Sequence, residues 1–122
     1  MRIAGRFRAV RHKDHALPKD PPRPLTPRGS RLDVRIWTHH GKDLPWLLVA
    51  SPKRCGTAVQ RNRFRRRVRM ALLEVIRPLS PEVVQSAVVW VRPARGLKLD
   101  VDIPCEELKG QLRLAFTCWL GR

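Results

Sequence analysis

The sequence has few acidic residues and few cysteines, and it lacks any long apolar run. Only 10 Asp and Glu stand against 26 Lys and Arg, which gives a formal net charge of +16. The three cysteines are widely spaced, without the pattern of a zinc knuckle or a redox motif, so we expect a reducing compartment, the cytoplasm. Because no run of 18 apolar residues and no signal-peptide core occur, the sequence predicts neither membrane insertion nor secretion.

Groups that could catalyse a reaction are also missing from the sequence. No two of the four histidines are four residues apart, no serine or cysteine occupies a nucleophile elbow, and no glycine-rich phosphate loop occurs. Acidic residues gather only in one cluster, which we interpret as a helix cap with a Mg²⁺ site as the weaker alternative: Asp100, Asp102, Glu106 and Glu107. The sequence therefore predicts no catalytic residue and no metal ligand in the protein.

The size and charge distribution indicate one folded, anion-binding domain. With 122 residues, of which 43% are hydrophobic, the chain is long enough for a single modest core. Residues 1–98 contain 23 Lys/Arg and 6 Asp/Glu, whereas residues 99–122 contain 3 and 4. We therefore expect the first four-fifths of the chain to form the anion-binding surface and the C-terminal segment to pack against the core.

Two segments are predicted to precede the main domain. A helical pattern over residues 3–13 predicts a short N-terminal helix, with Ile3, Phe7 and Val10 on one face, and we assign residues 1–17 to it. Five prolines fall within residues 18–27 and remove amide donors, so residues 18–28 are predicted to be an extended linker. A PxxP-type ligand for another protein is the alternative. Residues 29–122 are then the predicted main domain, which carries the anion-binding surface.

The main domain alternates between strand and helix patterns. Alternation over residues 31–38 predicts a strand with one buried face, and an apolar run at 46–50 predicts a second strand after a turn. β-branched residues at 87–91 predict a central strand. A helical repeat of apolar residues predicts a last helix over about 104–120. Its N-cap is expected near Asp102 or Ile103, with Glu106 and Glu107 in the first turn. Cys105 and Cys118 fall in the apolar pattern of this helix and are predicted to be buried. With a basic helix at about 57–77, these elements predict an α+β fold whose helices cover one face of a small sheet.

The basic helix contains the most informative segment of the chain. Six arginines fall within residues 61–69. At about 100° per residue, apolar side chains from Phe64 to Val75 gather on one side of this helix. A neighbouring arc holds Asn62, Arg65, Arg66 and Arg69. Repulsion among the arginines costs free energy unless a polyanion neutralises them, so the pattern predicts a polyphosphate partner, and it favours RNA.

Residues 53–66, KRCGTAVQRNRFRR, resemble the protein component of bacterial ribonuclease P. That family is marked by a basic-basic-x-Gly-x-Ala-Val loop that runs into an Arg-Asn-Arg helix. An apolar strand that ends at Arg92 and Pro93, and a closing helix with Glu107, Leu108 and Leu112, extend the resemblance to about residues 28–120. It implies a four-stranded sheet packed by two to three helices, with a left-handed crossover around the arginine helix, although crossovers are nearly always right-handed.

The resemblance also implies a division of labour between protein and RNA. A catalytic RNA would remove the 5′ leader of precursor tRNA. Mg²⁺ would be bound through that RNA and not by the protein alone. No obligate protein partner is implied. The implied contacts to the catalytic RNA are Lys53, Arg54, Arg61, Asn62, Arg63, Arg65, Arg66 and Arg69. The implied leader cleft lies between the first helix and the sheet, where aromatic rings stack on bases, and its candidates are Phe7, Trp37 and Arg92.

Three positions depart from the family pattern, and one alternative function stays open. Thr57, Arg67 and Met70 stand where the family usually has lysine, an apolar residue and glutamate. The alternative is an RNA-binding module without a nuclease role, such as a ribosomal protein or an RNA chaperone; an independent nuclease is weaker because it needs catalytic groups. The sheet face separates the first two: a leader cleft predicts exposed aromatics and a surface Arg92, whereas a simple module would bury Phe7 and Trp37.

Overall fold

The computed structural model describes residues 6–10, 22–41, 43–94 and 103–121. The elements in chain order are β1 (Arg8–Ala9), β2 (Leu32–Thr38), β3 (Trp46–Val49), a 3-10 turn (Lys53–Cys55), α1 (Ala58–Ile76), α2 (Pro81–Val84), β4 (Ala87–Pro93) and α3 (Cys105–Leu120). One mixed sheet has the strand order β1-β3-β4-β2. This confirms the predicted α+β fold with a four-stranded sheet and three helices.

Pairing around β4 determines how the chain crosses the sheet. β4 is antiparallel to β2 and parallel to β3, and β1 is parallel to β3. Because β3 and β4 are parallel, the chain between them must cross over the sheet, and α1 is that crossover. The left hand of this crossover stays a prediction. The C-terminal ends of β3 and β4 and the start of β2 therefore share one end of the sheet.

α1 begins with a capping box that the sequence contains at Thr57 and Gln60. The Gln60 amide donates to the Thr57 hydroxyl at 3.2 Å, and the Thr57 amide donates to the Gln60 side-chain oxygen at 2.8 Å. A Cβ at Gly56 would lie 2.6 Å from that same side-chain oxygen, so a larger residue would push the Gln60 side chain out of the box. Threonine thus has a local structural role where the family usually has lysine.

The main core lies between the sheet and two helices. The apolar side of α1 is buried as predicted, with Phe64, Val68 and Leu72 each 5% exposed or less. α3 adds Leu108 and Leu112, both fully buried. Each such side chain contributes about 1.5–3 kcal/mol by leaving water, so this shared core is what holds α1 on the sheet.

The second face of the sheet has its own apolar cluster. Leu48, Val88 and Trp90 are buried there, and Trp37 and Trp46 pack against them. The sequence predicted only one buried face for β2, yet Asp33 on the opposite face is 9% exposed. The large tryptophan rings cover neighbouring positions across the strands, which a pattern within one strand does not reveal.

The predicted N-terminal helix is wrong for residues 6–10. Arg8 and Ala9 form β1 and pair with Trp46 and Leu47 of β3. The Arg8 amide donates to the Pro45 carbonyl at 2.9 Å. The open edge of β3 offers backbone partners to a neighbouring extended chain, and this long-range pairing outweighs a weak helical pattern. The remaining residues of the predicted helix lie outside the described residues.

Two of the three cysteines are exposed, which contradicts their predicted burial. Cys105 is the first residue of α3 and Cys118 lies at the border of its apolar face, so neither points into the core. Cys55 is buried beneath the 3-10 turn. The N-cap of α3 is Pro104, one residue after the predicted Ile103, while Asp102 lies outside the described residues. Glu106 and Glu107 occupy the first turn as predicted.

The end of the proline-rich segment runs along the outer edge of β2. The Leu25 amide donates to the Val34 carbonyl at 2.7 Å, and the Thr26 hydroxyl donates to the Leu32 carbonyl at 2.9 Å. Gln111 of α3 accepts from the Leu32 amide at 3.1 Å. Residues 22–26 thus lie against the sheet with a bend at Leu25 and Thr26, whereas residues 18–21 lie outside the described residues, and the extended linker stays a prediction.

Candidate nucleic-acid interface

The first candidate surface is the outer arc of α1. The observed helix agrees with the predicted residues 57–77 to within one residue at each end. Asn62, Arg63, Arg66 and Arg69 are exposed, and Arg61 and Arg65 are half-buried. Because Phe64 and Val68 anchor the opposite side in the core, the helix cannot roll to hide this arc. Four of the predicted RNA-binding residues, namely Asn62, Arg65, Arg66 and Arg69, are therefore together on one outward stripe, which we call the arginine arc.

Arg65 is oriented by two neighbours before any ligand arrives. Its guanidinium donates to the Ser51 hydroxyl at 2.5 Å and to the side-chain oxygen of Asn62. With its oxygen engaged in this way, Asn62 presents its amide N–H groups outward, as donors. Fixed donors lose less conformational entropy when they bind an anion than mobile ones do. The arrangement therefore suits phosphate oxygens.

A basic turn extends the arginine arc at the start of α1. Lys53 and Arg54 are exposed on the 3-10 turn, which the Cys55 amide closes by donating to the Pro52 carbonyl at 2.9 Å. The buried Cys55 side chain fixes the turn to the core. Two predicted RNA-binding cations thus lie at the end of the sheet where β3 ends and next to the first turn of α1.

Arg67 has a structural contact that the sequence did not predict. Its guanidinium donates to the Ile103 carbonyl and lies 3.6 Å from the Cys105 sulfur. Arg67 therefore ties α1 to the start of α3, and it does not belong to the arginine arc. Met70, the other departure in this helix, is 62% exposed.

Farther along α1, an ion-pair network links the helix to α3. The Lys109 ammonium lies 2.7 Å from the Glu74 carboxylate and 3.2 Å from that of Glu106. The hydrogen bond from Lys109, together with its charge, holds the pKa of Glu74 below its ordinary value. The hydrogen bonds to Glu74 and then Glu106 raise the pKa of Lys109. The acidic residues of this region are thus paired with lysine, away from the arginine arc.

The second candidate surface is a row of side chains across the face of the sheet opposite α1 and α3. Strand register places Arg8 beside Trp46, Trp46 beside Val88, and Val88 beside Trp37. Both tryptophans are half-buried, Arg8 is exposed, and the His39 ring lies 5.4 Å from that of Trp46. Since neighbouring strands are about 4.8 Å apart, the two tryptophans have Cα atoms about 10 Å apart. We call Arg8, Trp46, Val88 and Trp37 the tryptophan row.

One carboxylate organises two arginines on the same face. Asp33 accepts from Arg35 at 3.2 Å through each of its oxygens and from Arg92 at 3.1 Å. Both guanidiniums lie over the Trp90 ring, at 5.4 and 5.2 Å from its centroid. Trp90 is therefore covered by cations and is not open to stacking by a base, whereas the arginine side chains remain partly exposed.

The structure separates the three predicted leader-binding residues. Trp37 and Arg92 lie on the same sheet face, but Trp37 pairs with Val88, which is four residues before Arg92 on β4. Phe7 is different: it is half-buried and packs against the main core on the helix side. Sequence reasoning missed Trp46 and Arg35, although alternation through Trp46, Leu48 and Ala50 could have indicated a shared face.

Comparison with known proteins shows the family to which the chain belongs. The family model described as Ribonuclease P matches residues 28–117. The chain belongs to the ribonuclease P protein family. It is thus a protein subunit of ribonuclease P, with a role in tRNA processing, and family membership implies association with the ribonuclease P RNA. No curated protein matches the chain.

Two solved ribonuclease P proteins share the fold. The protein of Staphylococcus aureus is 16% identical, with 77% of this chain and 79% of that chain covered and a TM-score of 0.54. The protein of Thermotoga maritima is 17% identical, with 71% and 76% covered and a TM-score of 0.51. At these identities the likeness supports the sheet and helix arrangement of the ribonuclease P fold.

The described ranges contain neither a cluster of metal ligands nor a membrane-spanning helix. Residues 6–10, 22–41, 43–94 and 103–121 contain no group of three or more His, Cys, Asp or Glu that could hold a metal ion. Asp100 and Asp102 of the acidic cluster lie outside these ranges, so the binding of Mg²⁺ through the RNA alone stays a prediction. No helix in the described part of this ribonuclease P protein has the length and apolar content to cross a membrane.

Proposed function

We propose that the protein serves ribonuclease P by binding two RNAs at two surfaces while the RNA subunit cleaves the phosphodiester bond. The observation that carries the proposal is the arginine arc, whose cations lie on the outer side of α1 and in which Arg65 is oriented before binding. In this proposal the arc and the basic turn bind the catalytic RNA, and the tryptophan row binds the 5′ leader of precursor tRNA.

The charge of the arginine arc supports the assignment to the catalytic RNA. Arg65, Arg66 and Arg69 are crowded on one stripe, and their mutual repulsion is relieved when phosphates neutralise them. Arginine forks can donate to two phosphate oxygens at once, which gives orientation as well as attraction. Lys53 and Arg54 extend the same stripe, so a folded RNA with closely spaced phosphates fits this surface.

The tryptophan row supports the assignment to a single-stranded leader. Trp37 and Trp46 offer two aromatic platforms on one face, with Arg8 at one end. Stacking of an unpaired base on an aromatic side chain is worth about 1–3 kcal/mol and tolerates any base. A leader varies in sequence among precursors, so recognition by stacking and by cations, without base-specific pairing, suits it.

We assign the hydrolysis itself to the RNA subunit, with Mg²⁺ bound through that RNA in the cytoplasm. The sequence supports this because it contains equipment for binding a phosphodiester backbone but no nucleophile elbow, acid–base pair or phosphate loop. The protein would then act by lowering the Mg²⁺ requirement and by holding the substrate.

Reconstitution tests the proposal. The chain is added to a bacterial ribonuclease P RNA at low Mg²⁺, and cleavage of precursor tRNA is followed. We expect stimulation by the wild-type chain, and a weaker, less salt-dependent RNA affinity for Arg65→Ala/Arg66→Ala, with the log–log salt slope reduced by roughly one unit per lost phosphate contact. Arg77→Ala/Arg113→Ala removes the same number of charges at two exposed arginines outside the arc and is the control for net charge.

Three outcomes would count against the proposal. Cleavage by the protein without RNA would transfer catalysis to the protein. RNA binding without any stimulation at any protein concentration would favour the module without a nuclease role. An equal effect of the two double variants would mean that net charge, and not the arginine arc, determines binding.

A further inference from the structure

A pocket lies at the end of the sheet where β4 finishes and β2 begins. Its volume is about 430 Å³, within the range of sites for small ligands, and we call it the end pocket. Three arginines line it together with one carboxylate: Arg23, Arg28, Arg92 and Asp33. Neither the arginine arc nor the tryptophan row includes Arg23 or Arg28, so the end pocket is a separate feature of the molecule.

The backbone that walls the end pocket is fixed by hydrogen bonds. Residues 27–30 form a tight turn in which the Ser30 amide donates to the Pro27 carbonyl at 3.1 Å, and Gly29 has φ +90°, a value that suits glycine at the third position of such a turn. On the other side, the Ala94 amide donates to the Arg31 carbonyl at 2.8 Å. The pocket is thus formed in the free protein and need not be built by a ligand.

The charge of the end pocket is strongly positive. Asp33 is already shared between Arg35 and Arg92, so it does not neutralise the pocket. Arg23 and Arg28 are exposed, and neither has an ion pair or side-chain hydrogen bond within the described residues. Guanidinium groups without a carboxylate partner around a preformed concavity match a phosphate group.

Position connects the end pocket to the tryptophan row. Arg92 lies on the row's face of the sheet and also lines the pocket, four residues along β4 from Val88. At about 3.3 Å per residue that separation is about 13 Å, a distance that a few nucleotides of single strand can cover. Arg23 precedes the residues that match the ribonuclease P family model, 28–117, whereas Arg28 and Arg92 lie within them.

We propose that the end pocket binds a backbone phosphate of the precursor tRNA leader, continuing the strand that stacks on the tryptophan row. Arg23 and Arg28 are the residues that contact this phosphate, and Arg92 joins the two parts of the path. This inference rests on the proposed leader-binding function. The competing source of the same phosphate chemistry is the catalytic RNA, which the experiment distinguishes.

The test compares two substrates in the reconstituted complex. Affinity is measured at several salt concentrations for a precursor tRNA with an unstructured leader and for the same tRNA without a leader. Each contact to a single-stranded phosphate adds about 0.7 to the log–log salt slope, or roughly 5-fold in affinity per tenfold change in salt. Arg23→Ala/Arg28→Ala should therefore lower affinity for the leader-bearing precursor by roughly 5-fold at about 0.1 M salt, and leave the binding of leaderless tRNA and of the catalytic RNA unchanged.

The controls separate the possible failures. Arg77→Ala/Arg113→Ala corrects for the loss of two charges, and Trp37→Leu keeps apolar bulk while it removes a stacking ring. Loss of leader affinity in Trp37→Leu but not in Arg23→Ala/Arg28→Ala overturns the end pocket alone. No loss in either variant overturns the leader-binding function. An equal loss for both substrates, or weaker binding of the catalytic RNA, overturns the leader as the occupant of the pocket.

Discussion

Replacing Asp33 by asparagine should destabilise the protein by removing the charge that holds two arginines together. The Asp33 side chain is only 11% exposed and accepts three hydrogen bonds from Arg35 and Arg92. Breaking a buried ion pair from one side costs about 3–5 kcal/mol, and the partial exposure of both arginines, 19% and 25%, reduces this. We expect a loss of about 2 kcal/mol in the free energy of unfolding, with a Tm about 6–10 °C lower.

Urea denaturation followed by circular dichroism measures this loss. Asp43→Asn is the matched control, because Asp43 is an exposed carboxylate and its replacement should change stability by less than about 0.5 kcal/mol. Added salt should narrow the gap between the two variants, since it screens the repulsion between Arg35 and Arg92. If Asp33→Asn unfolds at the same urea concentration as Asp43→Asn, the carboxylate does not organise the arginines as described.

Three smaller predictions concern α1 and its neighbours. Thr57→Ala should lower the free energy of unfolding by about 1 kcal/mol through loss of the capping box, and an unchanged urea midpoint would contradict that role. Ser51→Ala should weaken RNA binding a few-fold while the salt slope stays the same, because Arg65 keeps its charge and loses only its orientation; a changed slope would mean lost phosphate contacts. Glu74→Gln should be less stable than the wild type above about pH 4.5, with the difference vanishing as the pH falls through the lowered pKa of Glu74; a difference independent of pH would show that the pair with Lys109 does not contribute.

The arginine helix could be predicted because its information is local. The 3.6-residue periodicity from Phe64 to Val75, the cap at Thr57 and the prolines after Ile76 all lie within one stretch of chain. The outward positions of Arg66 and Arg69 follow directly from the same periodicity. The arginine arc, the first of the two candidate surfaces, could thus be predicted from sequence.

The remainder depends on contacts between distant segments. β1 exists because β3 has an open edge, a fact that residues 6–10 alone cannot show. The prediction that groups Phe7 with Trp37 depends on an N-terminal helix. In the observed structure Phe7 precedes β1 and packs against the main core, whereas Trp37 lies on the opposite face of the sheet. The end pocket joins a turn near Gly29 to the end of β4, so no single window of sequence could have indicated it.

Both edges of the sheet are shaped in a way that discourages one molecule from adding its strands to another. Along β2, the Leu32 amide and the Val34 carbonyl are occupied by Gln111 and by Leu25, and Pro24 next to it has no amide to offer a newcomer. At the far edge, β1 is only two residues long, too short to template a ladder. Addition of strands from a second molecule is thereby disfavoured at both described edges, even where salt screens the charge of the protein.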